Sequence, residues 1–340
     1  MTVCPPAPER VGDDASRADP DGYAPHPIDA DEARNGVEWR QFVTRLGVVS
    51  ARVSPERTSD TATVLLHGAA GSWSTWTPLL AEARLAAGRT GGGPGPSDLV
   101  LIDLPGWGHS VLPGAPPARP RDTALVEVYS CAVVEVLHSL GYRAWHVIGH
   151  SMGGFLALDL AAREREATLS VGLVSATTGS VAEAVRHPVR GLLTRPAFVG
   201  LLAVMLLFRT HGDAASALLR ALDRVGLLRA VVSTLFARGR AVPRSVREAL
   251  AREVRPDGFV LAARLLALTD LEQSLAGIRC PVISVRGDHD VFVTAGDDER
   301  LALLLPAFGS TVLPSVGHFA QIEAPAAVLA LFAGAFSPRS

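Results

Sequence analysis

The run Gly149-His150-Ser151-Met152-Gly153-Gly154 follows directly on the apolar stretch Ala144 to Ile148. Strand, tight turn and helix in that order would hold Ser151 out as an exposed nucleophile. The turn forces the serine backbone into a strained conformation, and Gly149 and Gly153 let the following helix pass close to the neighbouring strands. At the helix N-terminus the backbone N–H of Met152 points toward a substrate carbonyl, where an oxyanion can use both that donor and the helix dipole. A serine hydroxyl is a poor nucleophile unless a base takes its proton, and the base needs a carboxylate to orient it. Both occur downstream. Pro281 to Val285 reads as a buried strand ending in Gly287-Asp288-His289-Asp290, and Val312 to Val316 leads into Gly317-His318-Phe319. Strand ends are where a parallel sheet presents its reactive groups.

Two more segments join the serine turn and the histidine segment Gly317-His318-Phe319-Ala320-Gln321-Ile322-Glu323-Ala324-Pro325: Val64-Leu65-Leu66-His67-Gly68-Ala69-Ala70-Gly71 and Asp103-Leu104-Pro105-Gly106-Trp107-Gly108-His109-Ser110. With these four motifs the chain resembles the α/β-hydrolase superfamily in its single-chain form with a helical cap. The first of the added segments is similar to that family's HGxxG oxyanion loop, the second to its DxPGxGxS turn. The resemblance spans roughly Ala62 to Thr178 and Leu271 to Phe336. It implies a mostly parallel eight-stranded sheet flanked by helices, with the cap inserted after the sixth strand. Residues 36–178 and 271–336 would form the core and 179–270 the cap. It also implies Ser151 as nucleophile, His318 as base, Asp290 as acid, and the N–H groups of Ala69 and Met152 as the oxyanion hole. Asp288 is a rival acid, since in an extended segment it would point to the same face as Asp290. The family's spacing from Gly287 favours Asp290 and leaves Asp288 as a turn former. His67 and His109 read as structural ties around the oxyanion hole. His150 packs beside the nucleophile and, with Thr177 and Thr178, is a candidate substrate contact. His289 has no assigned role.

Composition fits an enzyme with a large core: 340 residues, 48% of them hydrophobic. The net charge of −2 carries no basic field for nucleic acid. Every basic residue is arginine, the usage expected of a GC-rich bacterial genome. Cys4, Cys131 and Cys280 lack metal-ligand spacing and read as reduced and structural, and no metal or organic cofactor is expected. Residues 1–35 are expected to be a disordered extension, polar and rich in Pro and Asp at Met1 to Glu32. That stretch lacks a basic start and an apolar signal core, which points to the cytoplasm.

Around the motifs, two short strands are expected over Val37 to Val53, then strands at Ala62 to Leu66, Leu99 to Asp103, Trp145 to Ile148 and Ser170 to Ser175. A helix begins near Ser74, and Asp122 can cap another that runs to about His138 with Gly141 as its stop. Gly91 to Pro96 and Pro113 to Pro120 read as surface loops. From Gly179 to Ala267 the strand signals vanish and Leu, Ala and Arg recur at helical spacing. There Leu218, Leu222 and Val225 share one helix face and Arg220 and Arg224 another, so the apolar face is expected to roof the active site. The twelve-residue run Ala197 to Phe208 falls short of the roughly 20 residues that span a bilayer. A buried helix lining an apolar acyl pocket is preferred for it over a helix docked on a membrane surface, given its shortness and the flanking Arg195 and Arg209. Pro196 suits the first turn.

The expected reaction is hydrolysis of an ester, thioester or lactone of an apolar small molecule through an acyl-enzyme. The alternatives are carbon–carbon bond hydrolysis of the ring-cleavage type and a non-catalytic protein that holds a small ligand. Serine at position 151 and a cap without tyrosine disfavour epoxide hydrolase and dehalogenase chemistry. Oligomeric state stays open.

Overall fold

The computed structural model describes residues 22–69, 71–90, 98–110, 123–210, 218, 221, 222 and 224–336. Its centre is one eight-stranded sheet: β1 (Glu38–Thr44), β2 (Gly47–Val53), β3 (Thr61–Leu66), β4 (Leu99–Ile102), β5 (Ala144–His150), β6 (Thr168–Val174), β7 (Val282–Gly287) and β8 (Phe308–Leu313). The order is β1-β2-β4-β3-β5-β6-β7-β8. β1, β2 and β4 pair antiparallel and the rest are parallel. Burial explains the composition of each strand. Leu99 to Ile102 is buried at every position, as a strand covered on both faces must be, whereas the edge strand β1 exposes most of its residues.

Helices α1 (Thr77–Thr90), α2 (Thr123–Ser139) and α3 (Met152–Arg163) follow β3, β4 and β5. Between β6 and β7 the described residues of the insert form α4 (Gly179–Arg186), α5 (Pro188–Thr194), α6 (Pro196–Thr210), α7 (Leu227–Ser233), α8 (Arg244–Arg252), α9 (Pro256–Leu268) and α10 (Leu271–Leu275), with no strand among them. The chain closes with α11 (Ala295–Leu304), α12 (Ala320–Glu323) and α13 (Pro325–Phe336). Two apolar layers sandwich the sheet. Val133, Tyr129 and Phe155 of α2 and α3 pack on one face, and Leu79, Leu80, Val328 and Phe332 of α1 and α13 pack on the other. Gly172 in β6 makes room for the Phe332 ring, which a Cβ there would meet at 3.0 Å.

Two expectations need correction. Of the expected N-terminal extension, residues 22–35 are ordered and pack against the core, while 1–21 lie outside the described residues. Tyr23 and Ala24 are buried, His26 Nε2 sits 2.9 Å from Glu82 Oε2 on α1, and Asn35 Nδ2 donates to the carbonyls of Asp29 and Asp31. Enough side-chain and backbone bonds form here to offset the ordering of a polar segment. The second concerns the face shared by Leu218, Leu222 and Val225. Leu218 is 48% and Val225 78% exposed, so it does not roof the site. Helical periodicity marks a face without saying what covers it. Arg220, Asp122 and the two expected surface loops lie outside the described residues. Gly141 does stop α2, at φ +86°.

Candidate active site

Ser151 occupies the turn between β5 and α3 at φ 52°, ψ −118°, a conformation that L-residues avoid. Close packing holds it there. A Cβ on Gly149 would lie 2.2 Å from the Gly153 carbonyl oxygen, and one on Gly153 would lie 2.2 Å from that of Leu66. Backbone atoms cannot yield, so only glycine lets α3 sit this near β3. The Ser151 N–H donates to the Val174 carbonyl at 3.0 Å, which ties the turn to β6.

Asp290 and His318 come from the turns after β7 and β8, beyond the carboxyl ends of neighbouring parallel strands. His318 Nε2 stands 3.0 Å from Ser151 Oγ, and His318 Nδ1 stands 3.0 Å from each Asp290 carboxylate oxygen. Both side chains are buried. Asp290 Oδ1 also accepts from the N–H groups of Phe292 and Val293 at 2.8 and 3.1 Å. Burial alone would raise this carboxyl. The adjacent His318 imidazole and the two amides override it and hold Asp290 below the usual carboxylate range. Asp288 turns away from the imidazole, accepting instead from Val316 N at 3.3 Å and lying 2.7 Å from His289 Nδ1 at the surface. Geometry thus separates the two aspartates that the sequence left as rivals.

Ala69 and Met152 both border the cavity beside Ser151. The Gly68 carbonyl is 2.7 Å from His67 Nδ1 and accepts from Gly71 N at 3.2 Å. Among the described residues no peptide is cis, so the Ala69 N–H lies on the opposite edge of that peptide plane. His67 Nε2 accepts from Leu104 N at 2.9 Å, which leaves the proton on Nδ1, directed at Gly68. Asp103 anchors the same region from beneath, accepting from Trp73 N at 2.9 Å, His109 N at 3.1 Å and Arg52 at 3.2 Å.

The three candidate contacts separate. Thr177 borders the cavity. Thr178 does not: it is buried at the start of α4, with its hydroxyl 3.2 Å from Asp297 Oδ1. His150 does not either. It lies behind His318 with ring centroids 5.0 Å apart and donates from Nε2 to the His318 carbonyl at 3.0 Å. Burial, then the neighbouring His318 charge, pushes its imidazole down to about 3, so it stays neutral. Among the described residues its Nδ1 has no hydrogen-bond partner.

The cavity beside Ser151 has a volume of about 50 Å³ and opens to solvent. Phe198, from the run Ala197 to Phe208 expected to line the pocket, does form one wall, but the sequence did not single out the others: Phe155, Val181, Phe259, Ala262, Ala263, Leu266 and Phe292. The apolar runs that supply them were visible, but their inward faces depend on how the insert folds back. Sequence reasoning also gave no role to Glu323, although it stands in the histidine motif. Its buried carboxylate accepts from Gly317 N at 2.8 Å, Phe319 N at 3.1 Å and Ala237 N at 3.0 Å, bracketing His318. Among the described residues no cluster of three His, Cys, Asp or Glu could hold a metal. Cys131 and Cys280 are free, with thiols raised by burial, and Cys4 lies outside the described residues.

The sequence model of the alpha/beta hydrolase family matches residues 63–331. The chain belongs to that family. It is 27% identical over 271 residues to a dihydrolipoyllysine-residue acetyltransferase component of the acetoin cleaving system of Pseudomonas putida, covering 78% of this chain and 60% of that protein. It is also 27% identical over 271 residues to a 2-hydroxy-6-oxononadienedioate/2-hydroxy-6-oxononatrienedioate hydrolase from Pseudomonas putida, covering 76% of this chain and 82% of that one. Among solved structures it is similar to the enol-lactonase from Burkholderia xenovorans LB400, with a TM-score of 0.64 at 20% identity, covering 88% of this chain and all of the other.

Proposed function

We propose that this protein hydrolyses carboxylic esters, thioesters or lactones whose acyl part is apolar, with Ser151 as nucleophile, His318 as general base and acid, and Asp290 as orienting carboxylate. The observation that carries the reading is the series Asp290, His318, Ser151, joined by 3.0 Å contacts, at the wall of a cavity otherwise lined by Thr177 and apolar side chains. His318 Nε2 takes the Ser151 proton as Oγ attacks the carbonyl carbon. The oxyanion is received by the N–H groups of Ala69 and Met152. His318 then passes the proton to the leaving group as the tetrahedral intermediate collapses. A water molecule repeats the sequence on the acyl-enzyme, and Asp290 stabilises the imidazolium each time.

Pocket chemistry favours this reading over carbon–carbon bond hydrolysis. The hydrolase relative is named for a substrate bearing two carboxylates. No charged side chain lines the cavity among the described residues, so a carboxylate drawn into it would lose its hydration without gaining a partner.

The test is hydrolysis of p-nitrophenyl esters across acyl chain lengths by the full chain and its Ser151→Ala variant. Turnover should fall by on the order of 10⁴ to 10⁶ in the variant, because the three groups act as a unit. Equal rates in the two proteins would overturn the proposal. Inertness of both would favour the ligand-binding reading.

A further inference from the structure

Exposed apolar side chains are concentrated on the helical insert. Of eighteen large hydrophobic residues exposed among the described ones, ten fall between residues 189 and 231. On α5, Val189, Leu192 and Leu193 stand at i, i+3 and i+4, hence on one face, and Val189 and Leu193 are 81% and 83% exposed. Only Gly191 of that helix is buried. The next helix, α6, is apolar on both sides. Phe198 and Met205 point inward, where Phe198 forms a wall of the active-site cavity, while Val204, Leu206 and Leu207 are exposed. Among the described residues no helix is long and apolar enough to cross a membrane.

Charge identifies the partner. Residues 179–270 hold fourteen arginines against seven aspartates and glutamates, a net +7 in a chain whose total is −2. The rest of the molecule is correspondingly acidic. Several of these arginines flank the apolar helices: Arg190 within α5 reaches Glu183 at 3.5 Å, Arg195 stands between α5 and α6, and Arg209 near the end of α6 meets Asp257 at 3.1 Å. Seven acidic groups cannot neutralise fourteen arginines. An apolar face with a cationic surround matches a layer whose surface is anionic and whose interior is hydrocarbon.

We propose that the face formed by α5 and the outer side of α6 docks on an anionic phospholipid bilayer, lying in its interface without crossing it. Docking sets the Phe198 wall of the cavity one helix away from the acyl chains. The consequence for substrate, an ester drawn from the lipid phase, rests on the ester-hydrolase reading. The docking itself does not.

The test is co-sedimentation of the full chain with vesicles of equal parts phosphatidylglycerol and phosphatidylcholine, set against phosphatidylcholine alone. Capture should be about tenfold weaker on the neutral vesicles and should fall as ionic strength rises from about 0.05 to about 0.5 M. The double variant Val189→Asp with Leu193→Asp should lose about tenfold in capture, because it removes two inserted apolar groups and adds two repelled charges. Its unchanged thermal melt would show that the fold is intact. Absence of capture on both vesicles, or capture indifferent to the double variant, would overturn the proposal. A dimer in sedimentation equilibrium that the same substitutions dissociate, without vesicle capture, would assign the face to a second copy of the chain. Because the readout is binding, its failure is distinct from a failure of ester hydrolysis.

Discussion

Tyr23 donates a 2.5 Å hydrogen bond to Glu323 Oε2, joining the N-terminal segment to the loop that carries His318. The Tyr23 hydroxyl in turn accepts from Arg238 N at 2.9 Å, and Ala237 N donates to Glu323. One buried contact therefore links the chain start, the helical insert and the His318 loop. Burial raises the Glu323 carboxyl above its ordinary range, against the four hydrogen bonds that favour its charge. Removing one of those bonds by Tyr23→Phe should lower unfolding stability by about 1.5–3 kcal/mol, the worth of a hydrogen bond to a charged group. Urea denaturation at neutral pH measures it. An unchanged midpoint would mean that the strap contributes nothing.

This contact also marks how far the sequence could be read. The sheet and the serine turn were legible because their determinants are local: apolar runs of strand length, and glycines at the two places where backbones nearly touch. Asp290 and His318 were legible through motifs at strand ends. Tyr23 carried no signal, since its value lies in a partner three hundred residues away and it stands in a stretch whose composition resembles a loose tail. The same limit explains Thr178, whose neighbour Thr177 borders the cavity while its own hydroxyl meets Asp297. Adjacent residues at a strand end face different ways, and composition does not say which faces the site.

Acid should expose the buried His150. Burial and then the His318 charge oppose protonation of its imidazole and push it down to about 3 from an ordinary value of 6.5. Below pH 6.5 the unfolded chain therefore binds a proton at this site that the folded chain refuses. Its stabilising contribution is whole above 6.5 and is lost progressively as pH falls toward 3. In His150→Asn the slope of stability against pH should be shallower across that window, by up to ~1.4 kcal/mol per pH unit. Buried His67 acts in the same direction in both proteins and cancels in the comparison. Parallel slopes in denaturation series from pH 7 to pH 5 would refute the assignment.

Substitution of two glycines should act in opposite directions. A Cβ at Gly153 would stand 2.2 Å from the Leu66 carbonyl oxygen and 2.6 Å from that of His67, both backbone atoms. Gly153→Ala must push α3 away from β3, at a cost of about 3 kcal/mol or more in line with strongly overpacked cores. Gly88, on the exposed side of α1, has nothing within 4 Å of the added carbon. Gly88→Ala should gain about 0.5–1 kcal/mol from helix propensity alone. Thermal melts of the two variants against the parent decide it. Equal and small shifts would mean that the serine turn tolerates a methyl and is looser than its contacts imply.

The two aspartates after β7 give the sharpest separation of position from chemistry. Asp290 lies 3.0 Å from His318 Nδ1 through both oxygens and is buried, whereas Asp288 serves a surface pair with His289 and an amide of the turn. Asn at 290 keeps the size but places an amide N–H₂ where a carboxylate received the imidazole proton. His318 is then steered to the tautomer that cannot accept from Ser151, and kcat on the preferred p-nitrophenyl ester should fall by about 10⁴. Asp288→Asn preserves an acceptor for Val316 N and leaves the imidazole untouched, so its kcat should stay within about threefold of the parent, the scale of a surface change. KM should hardly move in either, since neither residue lines the cavity. A large loss in Asp288→Asn with little in Asp290→Asn would reverse the assignment and place the orienting charge two residues earlier in the turn.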